Sequence, residues 1–107
     1  MGRRKAMIDV RFYPEYFCTS LQLKKDIFLP TEYKNLPLSE QLISELEKLD
    51  EEIMNVIDWG DPGGESPMSF EERERLYEFA KELCHKVENE LGENYNVIDC
   101  SDWLKPE

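Results

Sequence analysis

The sequence predicts an α+β fold, a small antiparallel sheet of N- and C-terminal strands packed on two amphipathic helices, in a single domain over residues 1–107. Three observations carry that expectation. Residues 8–13 alternate apolar and polar side chains, as a half-buried strand does. Two longer stretches, from Ser39 to about Ile57 and from Ser69 to Leu91, repeat apolar residues at helical spacing. A further β-rich segment follows at residues 95–100. With 107 residues, 40% of them apolar, the chain has room for one core and little more.

Residues 1–6 are basic (Arg3, Arg4, Lys5) and are expected to form a disordered tail. No apolar segment of about 7–15 residues follows them, so they do not read as a secretory signal. In the first strand Ile8, Val10 and Phe12 alternate with Asp9, Arg11 and Tyr13, and Pro14, lacking a ladder donor, ends it. Tyr16 to Leu23 is apolar but irregular and fits either a short strand or a packed loop. Ile27-Phe28-Leu29, before Pro30, reads as a candidate edge strand.

The first helix places Leu42, Ile43, Leu46, Leu49, Ile53, Val56 and Ile57 on one face. Ser39 is its expected N-cap, and Glu40 sits where the helix dipole favours negative charge. Residues 58–67 hold three glycines and two prolines and cannot continue it. The second helix opens on Ser69-Phe70-Glu71-Glu72, a capping box, and carries Leu76, Phe79, Ala80, Leu83, Cys84, Val87 and Leu91 as its apolar stripe. Gly92 suits the left-handed position after it. Tyr95 to Cys100 is expected to pair with the first strand.

Thirteen Lys and Arg against 24 Asp and Glu give a net charge of −11. The imbalance is local: residues 1–35 hold seven basic and four acidic side chains, and residues 36–107 hold six and twenty, a net of −14. Such a field disfavours direct binding of nucleic acid or of an anionic membrane. No apolar run reaches the roughly 18 residues a membrane span needs. Cys18, Cys84 and Cys100 are odd in number and form no CxxC pair, which suits reduced thiols and a cytoplasmic location.

Catalytic groups are hard to assemble from this set. His85 is the one histidine, and its neighbour Cys84 lies about 100° away around the helix, so the two diverge. The cysteines lack the short gaps of a structural zinc site, and no metal or cofactor is expected. Gly60-Asp61-Pro62-Gly63-Gly64 is glycine-rich but acidic and without lysine, so it would repel phosphate. Tyr13, Tyr16 and Phe17 read as core aromatics, and Trp103 as a lid on the sheet edge. A small enzyme using Cys18 or Cys84 is a minor alternative. The acids that run from the first helix into the loop around Trp59 fit a solvated surface or a partner-binding face, since charge steers an encounter and a buried aromatic holds it.

The run Ile8-Asp9-Val10-Arg11-Phe12-Tyr13-Pro14-Glu15-Tyr16-Phe17-Cys18-Thr19-Ser20-Leu21 resembles the opening of small acidic bacterial proteins found in polymorphic toxin loci. Trp59-Gly60-Asp61-Pro62, Ser69-Phe70-Glu71-Glu72 and Leu91-Gly92-Glu93-Asn94-Tyr95-Asn96-Val97 are similar as well, so the likeness covers residues 7–98. Those are immunity proteins, including those of contact-dependent growth inhibition systems. The resemblance implies a non-enzymatic protein that binds and inhibits a cognate toxin domain, commonly a basic nuclease, and it carries over no site residues. The −14 segment is complementary to the positive groove a nuclease needs. The expected partner-binding residues are Glu47, Asp50, Glu51, Asp58, Asp61 and Glu65, with Trp59 as anchor. The alternative is a small acidic adaptor subunit for a host enzyme, unrelated to toxins.

Overall fold

Why the chain folds as it does is clearest at the first strand, β1 (Ile8–Phe12), which forms the middle of the sheet. Val10 and Phe12 are fully buried and Asp9 and Arg11 exposed, so the alternation is realised over residues 9–12, while Ile8, expected on the buried face, is 48% exposed at the strand's start. The computed structural model describes residues 8–23, 31–61 and 63–106. The expected tail over residues 1–6 and the candidate edge strand Ile27-Phe28-Leu29 lie outside the described residues.

The irregular segment after Pro14 resolves into a tight loop and a short strand, β2 (Leu21–Leu23), which pairs antiparallel with β1 in the register Val10↔Leu23 and Phe12↔Leu21. Helix α1 (Glu40–Ile53) follows and buries Leu42, Leu46, Leu49 and Ile53. Its Ser39 cap accepts the Leu42 N–H at 3.2 Å, as expected. The last predicted turn tightens into a 3-10 turn at Met54–Val56. Helix α2 (Phe70–Leu91) starts where Ser69 Oγ accepts the Glu72 N–H at 3.1 Å, and ends at Gly92 with φ +74 and ψ −162. Strand β3 (Tyr95–Asp99) completes the sheet, whose order is β2-β1-β3.

The α+β class and the two-helix layer are as predicted, but the sheet is mixed and not antiparallel: β3 lies parallel to β1, with Ile8↔Tyr95 and Phe12↔Asp99 in register. The reason is a count of reversals. β2 runs back along β1, and α1 runs back along β2, since Ser20 at the start of β2 meets Asp50 near the end of α1. α2 runs back along α1, because Lys86 meets Glu45 and Glu90 meets Ser39. β3 runs back along α2, with Lys81 on Asp99 at 2.7 Å and Arg73 on the Leu104 carbonyl at 2.9 Å. Four reversals restore the starting direction. Without β2 there would be three, and the antiparallel arrangement would follow.

One apolar core lies between the layers. It joins Val10, Phe12, Leu21 and Leu23 of the sheet to the inner faces of both helices, with Leu104 sealing the end. Burying each such side chain contributes about 1.5–3 kcal/mol before chain entropy is counted. Among the described residues, no buried side-chain nitrogen or oxygen lacks a hydrogen-bond partner.

Candidate partner-binding face

Two loops meet at one end of the helix pair, and the local sequence fixes the shape of each. Residues 14–19 are closed by the Tyr13 N–H on the Ser20 carbonyl at 2.8 Å. Trp103 Nε1 donates to the Pro14 carbonyl at 2.8 Å, and Thr19 Oγ1 donates to the Thr31 carbonyl at 2.6 Å. At the tip, Phe17 holds φ +62, a backbone region that bulky side chains rarely enter. Its ring is 73% exposed. Phe17 is therefore not the core aromatic expected from sequence: the left-handed turn that the short loop requires throws its side chain outward.

The second loop follows α1. Trp59 Nε1 donates to the Met54 carbonyl at 2.8 Å, and the Gly60 N–H is held by Asp58 Oδ1 at 2.9 Å. Two more turns follow, Asp61 N–H on the Asp58 carbonyl and Gly64 N–H on the Asp61 carbonyl, both at 2.9 Å. Ser66 Oγ donates to the Val56 carbonyl and ties the loop back to the helix end. Trp59 stays 44% exposed. Its ring centroid is 4.9 Å from that of Phe17 and 5.4 Å from that of Tyr16, whose ring in turn stands edge-on to Trp103 at 5.7 Å. The two loops thus build one aromatic ridge, Phe17 and Trp59 outermost.

Acids surround it. Glu51 and Met54 share a shallow depression of about 360 Å³ with Phe17, Cys18, Thr19 and Asp50. On the other side Trp59, Glu52, Asp58, Met68 and Phe79 line an open groove of about 900 Å³, with Lys48 and Arg75 also on its wall. Of the sequence-predicted residues, Glu47, Glu51, Asp58, Asp61 and Glu65 are exposed. Glu47 sits beside Glu51 on α1, and Asp58 and Asp61 share the loop with Trp59.

Asp50 is placed differently from its neighbours. It is half-buried, and its carboxylate accepts from Ser20 Oγ and from the Tyr33 hydroxyl, both at 2.6 Å. Burial pushes its pKa up to about 6, against the opposing pull of those two hydrogen bonds. Its charge is directed inward, where it fixes the base of the 14–20 loop. The clue to this role was available in the sequence only as an acid next to the apolar Leu49.

The residues considered for catalysis are dispersed. Cys84 is buried, and burial first, then the carboxylates of Asp99 and Glu88, pushes its thiol up to about 12, far from a reactive thiolate. His85 is exposed on α2. Burial also raises the Cys18 thiol, with Glu15 adding to it. Among the described residues no three His, Cys, Asp or Glu side chains are grouped so as to hold a metal ion. No helix of the described residues is long and apolar enough to cross a membrane.

The family model described as Serratia CdiI immunity protein-like matches residues 8–102 of this chain. No curated protein matches it.

Proposed function

The chain belongs to the Serratia CdiI immunity protein-like family, and from that premise we propose that it binds a cognate toxin domain, a basic nuclease, and inhibits it stoichiometrically, without catalysis of its own. The observation that carries the reading is an exposed aromatic ridge with Glu51 and Asp58 at its edge and further exposed acids along the end of α1 and the loop after it. Glu47, Glu51, Asp58, Asp61 and Glu65 supply the field, and Trp59 supplies the anchor. Asp50 acts from beneath, by holding the 14–20 loop in place. Complementary charge speeds the encounter, and apolar burial at its centre slows release. A cytoplasmic location follows from the role, since a toxin that enters the cell to cut nucleic acid must be met there.

The experiment is co-expression with the toxin domain encoded beside the gene. Rescue of growth, a one-to-one complex on sizing, and loss of nucleic-acid cleavage at equimolar ratio are the expected results. A complex formed with a toxin that cleaves neither DNA nor RNA would refute the nuclease part alone. Absence of both complex and rescue would refute the reading.

A further inference from the structure

We propose that Phe17 and Trp59 are the centre of the contact and that they receive an arginine guanidinium from the partner. This rests on the toxin-binding reading above and adds to it a second residue and the chemistry of the group that is bound. An exposed pair of large aromatic rings 4.9 Å apart is apolar surface already assembled. The Trp59 ring is held by its bond to the Met54 carbonyl and the Phe17 backbone by a closed loop, so the loops need little ordering on binding.

The charge around the ridge selects the partner. Glu51 shares the depression beside Phe17, and Glu52, Asp58 and Glu72 outnumber Lys48 and Arg75 in the groove beside Trp59. Glu51 and Asp58 are exposed and stay hydrated beside an apolar group, so only a cationic group gains from their charge. A lysine ammonium is compact and strongly hydrated, and loses much water on an aromatic face. A guanidinium satisfies both requirements: its weakly hydrated plane stacks on an aromatic ring and its edge N–H groups fork onto carboxylates. The chain uses this pairing internally, with Arg73 over the Trp103 ring at 5.7 Å and Arg11 over the Tyr13 ring at 5.6 Å.

The test is equilibrium binding of the full chain to the cognate toxin domain carrying an inactivating substitution, with four proteins compared. Phe17→Asn keeps a residue type that tolerates the left-handed turn while removing the ring. Trp59→Phe and Trp59→Leu both lose the bond to the Met54 carbonyl, so the difference between them reports the aromatic ring free of that bond. Thermal midpoints within a few degrees of wild type establish that each variant folds. The expected result is a loss of about 100-fold for Phe17→Asn and for Trp59→Leu, the scale of a hot spot. Trp59→Phe should bind at least about tenfold tighter than Trp59→Leu. Equal affinities of those two would overturn the guanidinium assignment. Wild-type affinity in both Phe17→Asn and Trp59→Leu would overturn the surface itself and leave the immunity reading standing. Failure of the wild-type chain to bind the toxin would overturn that reading and this inference with it.

Discussion

The Tyr33 hydroxyl donates a 2.6 Å hydrogen bond to Asp50 Oδ2 and at the same time accepts the Ser20 N–H at 2.7 Å. Ser20 Oγ closes the triangle on Asp50 Oδ1. Three elements, the start of β2, the turn at Tyr33–Asn35 and the end of α1, are therefore held by one carboxylate. Burial raises the Tyr33 hydroxyl pKa as well, with Asp50 adding to it, so the phenol stays protonated and remains a donor.

This triangle gives a signed pH dependence. Folding raises the Asp50 pKa from the ordinary carboxylate value near 4 to about 6. Between those values the folded state binds more protons than the unfolded one, so the Asp50 contribution falls as pH rises through this window. Wild type should lose on the order of 2 kcal/mol between about pH 4 and pH 6 relative to Asp50→Asn. Urea titrations across the window would measure it, and parallel curves for the two proteins would refute it.

Gly92 ends α2 at φ +74 and ψ −162, a region open in practice to glycine alone. A Cβ there would meet nothing within 4 Å, so the penalty of a substitution is confined to the backbone. Gly92→Ala should cost about 1–2 kcal/mol, seen as a melting point lower by roughly 5–10 °C. An unchanged melting point would mean that the chain leaves α2 by another path.

Charge reversal tests the electrostatic part of binding. Glu51→Lys, Asp58→Lys and Asp61→Lys together should slow association with the cognate toxin by about tenfold and flatten its salt dependence. Glu82→Lys, Glu88→Lys and Glu93→Lys together, in and beyond the last turns of α2, serve as the control of equal charge change. Stopped-flow rates at several salt concentrations decide it, and equal slowing by the control would point to net charge and not to this face.

Arg73 clamps the C-terminal turn by donating to the carbonyls of Leu104 and Trp103, at 2.9 and 3.2 Å. Arg73→Met should destabilise by about 1.5–3 kcal/mol and speed amide exchange at Leu104 and Lys105. Because Trp103 holds Pro14, exchange at Ser20 and Tyr13 reports whether the loosening reaches the Phe17 loop. Exchange confined to the turn would separate the two.

Elements whose signal is local were readable from the sequence. The caps at Ser39 and Ser69, the apolar stripes of both helices and the alternation of β1 from Asp9 to Phe12 depend on residues a few positions apart, and these stand as expected, Ile8 alone being exposed against expectation in β1. Strand direction was not readable, because it depended on whether the irregular segment before Leu23 contributes a reversal. Phe17 was misjudged for a related reason. Of its neighbours, Tyr16 packs against the core while Tyr13 lies under Arg11, and a backbone turn fixed by Ser20, Thr31 and Trp103 sends the Phe17 ring out. Asp50 belongs to the same class: on a helical wheel it borders the wet face, and the partners that draw it inward lie 17 and 30 residues away.

The parallel pairing of β1 with β3 also shapes how the molecule is made. Asp9 and Asn96, whose side chains meet at 3.1 Å, are 87 positions apart. The middle strand is thus bordered on both sides only after a segment 87 positions further along has been translated. Contacts of such long range form late and slowly, and until then the middle strand presents a bare edge. A chain that stops before Tyr95 holds the β1–β2 pair alone, with the other edge of β1 uncovered.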